Sequence, residues 1–144
     1  GLVRAYYYQG DQELTSWIVG EGDFAYSVES YHRQAPSPET IETLERCELL
    51  YMTYADQQEL LNIYPETNLI TRMLQENYLV LYDQRVRLLR GMDARNRVKL
   101  FRRAYPGLFA RTPQKYVATF LNMTPATFSR ILKEVVEEER KQNK

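Results

Sequence analysis

Nine residues near the C-terminus have types and spacing suited to one chemistry, the binding and reading of a polyanion: Thr112, Gln114, Lys115, Thr124, Ala126, Thr127, Ser129, Arg130 and Lys133. Arg130 carries a planar fork of donors that matches the acceptors on the guanine edge, a pairing worth about 1–3 kcal/mol of discrimination. Ala126, Thr127 and Ser129 are small, so a helix bearing them comes close to base edges. Lys133 extends the same exposed, basic face. Thr112, Gln114, Lys115 and Thr124 stand near expected helix N-termini, where backbone N–H groups, hydroxyls and cations hold phosphates.

These side chains need two short helices joined by a tight turn. Thr112 is a good N-cap for the first, with Pro113 at the first helical position, where a missing N–H costs nothing. Val117, Ala118 and Leu121 share one face, and a small residue at Ala118 lets two helices cross closely. Asn122 tolerates the left-handed conformation that ends a helix. Thr124 and Pro125 repeat the start signal, and Phe128, Ile131 and Leu132 supply the buried face of the second helix. An ordinary helical hairpin in a bundle would show some of these signals. Two Thr-Pro starts, a small crossing residue and a turn falling together favour a helix-turn-helix, whose second helix enters the DNA major groove.

The chain ahead of this unit divides in three. Residues 1–55 are expected to be β-rich: strands at Leu2–Tyr8 and Leu14–Val19 with a turn at Gly10-Asp11, a short helix or turn over 24–32, and a rigid loop at Ala35–Pro38. Further strands are expected at Ile41–Arg46 and Glu48–Thr53, with Cys47 a small residue in a strand. Tyr54 to Tyr64 reads as a short helix capped by Asp56 or a neighbour of Tyr54. A long helix runs from about Glu66 to Arg90. In it Leu74, Leu81 and Leu88 recur every seven residues, with Ile70, Asn77 and Gln84 interleaved. That stripe suits a parallel two-stranded coiled coil whose register is set by the buried amides; packing on its own domain is the alternative. Gly91 to Asp93 is the expected hinge. Asp93 then caps a helix from Ala94 to about Tyr105 that buries Val98, Phe101 and Ala104 and ends at Pro106-Gly107. After Lys133, the tail Glu134 to Lys144 continues the second helix of the pair and frays, with Glu137, Glu138 and Glu139 as a solvated end. The expected domains are 1–65, 66–92 and 93–144.

Composition is that of an ordinary globular protein, 44% apolar and 26% charged. The zero net charge hides an asymmetry. Residues 1–65 hold three arginines against eleven carboxylates, a net of −8, so residues 66–144 carry +8. The positive charge is densest at Arg95, Arg97, Lys99, Arg102, Arg103 and Arg111. A basic half beside an acidic half is expected when one half meets a polyanion. One cysteine excludes an intramolecular disulfide and fits a reducing compartment. No stretch is long and apolar enough to span a membrane, and none reads as a signal peptide.

In the order of its elements and in two motifs the chain resembles the Crp/Fnr family of bacterial transcription regulators. The motifs are Arg95-x-Arg97 through Tyr105-Pro106, and Val117-Ala118-x-x-Leu121-x-x-Thr124-Pro125-x-Thr127-x-Ser129-Arg130. The resemblance implies an α+β fold: a partial β-roll of the cyclic-nucleotide-binding type, a long dimerisation helix and a C-terminal helix-turn-helix. It further implies a cytoplasmic homodimer on palindromic double-stranded DNA, with RNA polymerase as a possible partner. Three departures stand out. Gly1-Leu-Val-Arg4 matches the middle of a roll, so the opening strands are missing. The family's effector turn maps onto Gly22, Asp23, Phe24, Ser27 and Ser37, but Pro36-Ser37 stands where cyclic-nucleotide binders have Arg-Ser. A buried phosphate without a cation is costly, so cyclic AMP is not expected and the effector is unknown. Finally, Asn122 replaces the usual Gly, Ala126 the usual Glu, and no β-wing follows.

Catalysis is not expected. His32 has no Cys or Asp constellation around it, and no metal spacing, phosphate-cradling loop or nucleophile motif is present. The expected function is a dimeric, sequence-specific DNA-binding regulator. The alternative is a ligand-sensing or protein-interaction module whose helix-turn-helix no longer binds DNA.

Overall fold

The computed structural model describes residues 1–142 of the chain. The fold is α+β, with three antiparallel strands and, among the described residues, seven helices.

Strand β1 (Val3–Gln9) and strand β2 (Gln12–Val19) form a hairpin that pairs Val3 with Val19 and Gln9 with Gln12. Gly10, at φ 60°, makes the left-handed corner that a side chain resists. An irregularity between Ala5 and Tyr6 shifts the register. Strand β3 (Thr40–Thr43) pairs with the other edge of β1, giving the order β2-β1-β3. Leu2, Val3, Ala5 and Ile18 are the buried apolar residues of this part. Between β2 and β3 lies helix α1 (Val28–Arg33).

The strand expected at Glu48–Thr53 does not form, and β3 stops at Thr43, short of Arg46. A strand needs a ladder partner for its N–H and C=O groups. Leu49 to Met52 have none, and Leu50 and Tyr51 are almost fully exposed. Cys47 is therefore not in a strand; its Sγ lies 3.5 Å from the Leu2 carbonyl oxygen.

Helix α2 (Tyr54–Ile63) starts with a reciprocal cap. Thr53 Oγ1 accepts from the Asp56 N–H, and the Asp56 carboxylate accepts from the Thr53 N–H. Helix α3 (Thr67–Gly91) is the expected long helix. Asp93 caps helix α4 (Ala94–Ala104) by accepting from the Asn96 N–H at 2.8 Å. Val98 and Phe101 are buried as expected, but Ala104 is exposed. Helix α4 ends at Ala104, with Tyr105 as its cap, just ahead of Pro106-Gly107 as expected, but another helix follows at once. Pro106 opens helix α5 (Pro106–Arg111), since proline suits a first helical position. Thr112 then closes α5 instead of capping the next helix, and helix α6 (Gln114–Phe120) follows Pro113. Asn122 takes φ 54° in the turn, as expected. Helix α7 (Pro125–Gln142) continues through the acidic segment with no wing; residues 143–144 of the expected tail lie outside the described residues.

The chain forms two compact units. One is Leu49–Gly91, the α2–α3 pair, and neither of its helices has a buried residue. The other combines Gly1–Glu48 with Met92–Lys144, so the strands and helices α4–α7 pack as one body. Its helical core is Val98, Phe101, Val117, Ala118, Leu121, Phe128, Ile131 and Val135. Leu132, expected in that core, is half-buried, and Val135 takes the deeper place one turn on.

Candidate nucleic-acid interface

The α6–α7 pair is built from its buried face outward. Val117 and Ala118 of α6, Leu121 at its C-terminal cap, and Phe128 and Ile131 of α7 are each at most 5% exposed, which fixes which side of α7 faces outward. Ala118 is fully buried, as a close crossing requires. Thr124 Oγ1 accepts from the Thr127 N–H at 3.2 Å, the expected cap, and donates to Thr127 Oγ1 at 2.9 Å.

The outward side of α7 carries exposed Ala126, Arg130 and Lys133 and half-buried Thr127 and Ser129. Arg130 donates to Glu134 one turn later at 3.1 Å, an exposed pair that costs at most about 1 kcal/mol to give up. Gln114 and Lys115 are exposed at the start of α6, and the Lys115 Nζ sits 4.5 Å from the centre of the Tyr116 ring. Thr112 departs from expectation. It is 5% exposed and its Oγ1 has no hydrogen-bond partner, so it faces the protein interior and does not reach a phosphate.

From Ala94 to Lys133 the chain has nine cations and no carboxylate. Folding brings carboxylates to most of them. Arg95 and Lys99 of α4 pair with Glu138, Lys99 at 3.0 Å, and Arg102 pairs with Glu139. The Lys99 ammonium, with Arg95 beside it, holds the Glu138 carboxyl below the usual carboxylate range. Glu138 and Glu139 are thus counterions of α4 rather than a solvated end, because successive turns of α7 lie beside α4. A cleft of about 770 Å³ bounded by Lys99, Arg102, Arg103, Phe109, Glu138 and Glu139 lies between these helices, with most of its charge already matched.

The last pairing reaches into the strand-bearing half. Arg111, at the end of α5, donates from Nη1 and Nη2 to Glu21 at 2.9 and 2.7 Å and also binds Glu45. The guanidinium draws both carboxyls well below their ordinary range, and both carboxylates raise Arg111 in turn. Strand β2 lies against α6: the Thr15 N–H donates to Thr119 Oγ1 at 3.2 Å, and that hydroxyl donates to Thr15 Oγ1 at 2.9 Å. Arg4, 1% exposed, bonds Glu42 at 2.6 Å, Glu13 at 2.8 Å and Thr15 at 3.2 Å. Its guanidinium carbon is 3.4 Å from the centre of the Tyr116 ring of α6 and 4.3 Å from that of Tyr6. No sequence motif marked Arg4, Thr15, Glu21, Glu45 or Thr119. The only signal was an arginine within an apolar strand, which a buried counterion cluster would explain.

The effector-turn residues do not converge on a binding cluster. Gly22 and Phe24 are exposed, and Asp23 lies beside them, also exposed. Ser27 is buried at the start of α1 but makes no cap with its side chain. Ser37 donates to the Glu39 carbonyl at 2.7 Å and accepts from the Glu39 N–H, so its hydroxyl closes its own turn. Arg33 pairs with Glu29, and His32 is exposed among Tyr26 and Tyr31.

The α3 residues of the heptad stripe lie on a helix with no buried position. Ile70 is 58% exposed, Leu74 and Leu81 are about 40% exposed, Asn77 and Gln84 are exposed, and Leu88 is half-buried. Among the described residues, no group of His, Cys, Asp and Glu is placed to hold a metal, and no helix is long and apolar enough to cross a membrane. No protein-family model matches the chain, and no match was found among curated proteins.

Proposed function

We propose that α6 and α7 are a helix-turn-helix that binds double-stranded DNA, presented twice by a homodimer joined along α3, in a cytoplasmic transcription regulator. The strands then belong to a β-roll. The observation that carries the reading is the outward side of α7, with a small residue, Ala126, at its leading turn and Arg130 and Lys133 behind, on a helix anchored by Phe128 and Ile131. Small residues permit approach to base edges, and the cations answer the phosphates and the guanine edge. The exposed apolar residues of α3 support pairing, since a helix apolar on several sides requires cover. Two α7 helices about 34–36 Å apart would meet successive major grooves. The role is recognition, without catalysis.

Arg130→Ala and Lys115→Ala separate reading from holding. Binding is measured against a pool of random duplexes and against the sequence selected from it. Arg130→Ala is expected to relax the preference at one base pair by about 1–3 kcal/mol, and Lys115→Ala to weaken all duplexes alike and lower the salt slope by about one. Equal effects of both variants on every duplex would refute base reading by Arg130.

A second reading, an interaction module that no longer binds DNA, is favoured by the pairing of Arg95, Lys99 and Arg102 with α7 carboxylates. Binding to duplex DNA that is absent at low and high salt alike would select it.

A further inference from the structure

Arg111 differs from the other paired cations of the basic segment. Arg95, Lys99, Arg102 and Arg130 find carboxylates on α7, within the helices. Arg111 is held by Glu21 and Glu45, from the strand-bearing half of the same compact unit. It stands two residues ahead of Pro113 and α6, the helix that crosses the DNA backbone when α7 enters the groove. Two carboxylates gripping one guanidinium from its side and edge occupy the donors that a phosphate would use.

The joint around it is polar. Thr15 and Thr119 share a hydrogen-bonded pair of hydroxyls, Arg4 lies on the Tyr116 ring, and Glu13 and Glu42 surround Arg4. Near the end of β2, Gly20 is so close to α5 that a side-chain carbon there would lie 3.2 Å from Leu108. Thus β1 and β2 lie against the side of α6 that carries Tyr116 and Thr119, away from its buried Val117 and Ala118. Contacts of this kind, polar and charged between strand and helix, resemble those of interfaces that open and close.

We propose that the three-stranded sheet is a detachable anionic cover on the DNA-binding helices, in which Glu21 and Glu45 hold Arg111 in place of a DNA phosphate until the joint opens. The proposal rests on the DNA-binding reading. Opening exchanges two carboxylates for a phosphate on Arg111 and withdraws the strands from α6. Control then lies in the contact between strand and α6, and a signal that loosens β2 raises affinity for any duplex sequence, because a phosphate contact carries no base information.

Two experiments on the full chain test it. The first changes no charge. Thr15→Cys with Thr119→Cys, in a Cys47→Ser background, places two thiols where hydroxyls now stand 2.9 Å apart. Oxidation is expected to cross-link them, and the locked form to bind random-sequence duplex at least about 3-fold more weakly than the same protein reduced, with a shallower salt dependence. The second opens the joint. Glu21→Gln with Glu45→Gln is expected to tighten binding roughly 3–10-fold and to steepen the slope of log affinity against log salt by about 0.9, one phosphate contact. Asp11→Asn with Glu39→Gln removes as much charge from the same half away from Arg111 and is expected to gain less. Adding Arg111→Ala to the opened variant is expected to abolish the gain. Equal binding by locked and reduced forms overturns the cover alone, as does an equal gain from the two pairs of neutralised acids. Failure of the thiols to cross-link overturns the joint. Absence of salt-dependent DNA binding in every form, with the cross-link intact, overturns the DNA reading and the cover with it.

Discussion

Replacing Arg4 by methionine tests whether the sheet and α6 are held by a buried cation. Methionine keeps the stem and most of the volume and removes the guanidinium. The wild-type group makes two charge-assisted hydrogen bonds, to Glu42 at 2.6 Å and Glu13 at 2.8 Å, and a third to Thr15, while stacked between the Tyr6 and Tyr116 rings. Breaking a fully buried ion pair costs about 3–5 kcal/mol, chiefly because one charge is left without a partner. Here the partners are only part-buried, with Glu13 34% and Glu42 36% exposed, so water reaches both carboxylates after the change. That solvation, and the removed cost of burying a guanidinium, reduce the expected loss to about 2–3 kcal/mol. For a chain of this size the melting temperature should fall by about 5–10 °C. The assay is urea and thermal unfolding, followed by the fluorescence of Trp17, the lone tryptophan, half-buried on β2. A double-mutant cycle with Tyr116→Leu should give a coupling of about 0.5–2 kcal/mol, the worth of a cation over a ring from partly wet to dry surroundings. A stability change under about 0.5 kcal/mol, or a coupling indistinguishable from zero, would refute the view that Arg4 bonds sheet to helix.

The acidic pairings make stability depend on pH in a definite direction. Glu21, Glu45 and Glu138 bind protons less readily in the folded state than at their ordinary 4.5. Their contribution is therefore complete above about that pH and is lost progressively as pH falls below it. Melts from pH 7 to pH 2.5 should show this decline, and Glu21→Gln should flatten it; an unchanged acid limb in that variant would count against the Arg111 pair. On α3, Leu74→Glu with Leu81→Glu should convert a dimer to a monomer in sedimentation, with the Trp17 transition unchanged because that face is exposed within the chain. A wild-type chain that sediments as a monomer at high concentration would remove the homodimer from the proposal.

Local chemistry explains which parts of the fold could be read in advance. The long helix, the Asp93 cap, the left-handed Asn122 and the Thr124 cap depend on residues within a few positions of one another, so the sequence carries them directly. The buried faces of α6 and α7 follow from helical periodicity in the same way. Errors came where a partner from elsewhere decides. Glu48–Thr53 has strand-like composition but no neighbouring strand to bond, and Thr112 has a capping side chain but sits between two helices, where it closes α5.

The chain's own order of residues determined its helices, its charge asymmetry and the outward chemistry of α7, because each rests on backbone geometry and on neighbours three or four positions away. Tertiary structure alone decided which charges remain available. Carboxylates at Glu138 and Glu139 reach α4, and those at Glu21 and Glu45 reach Arg111, across separations of 37 to 90 residues. Counterions are matched by distance in space, and a one-dimensional reading holds no record of which distant acid arrives beside which cation.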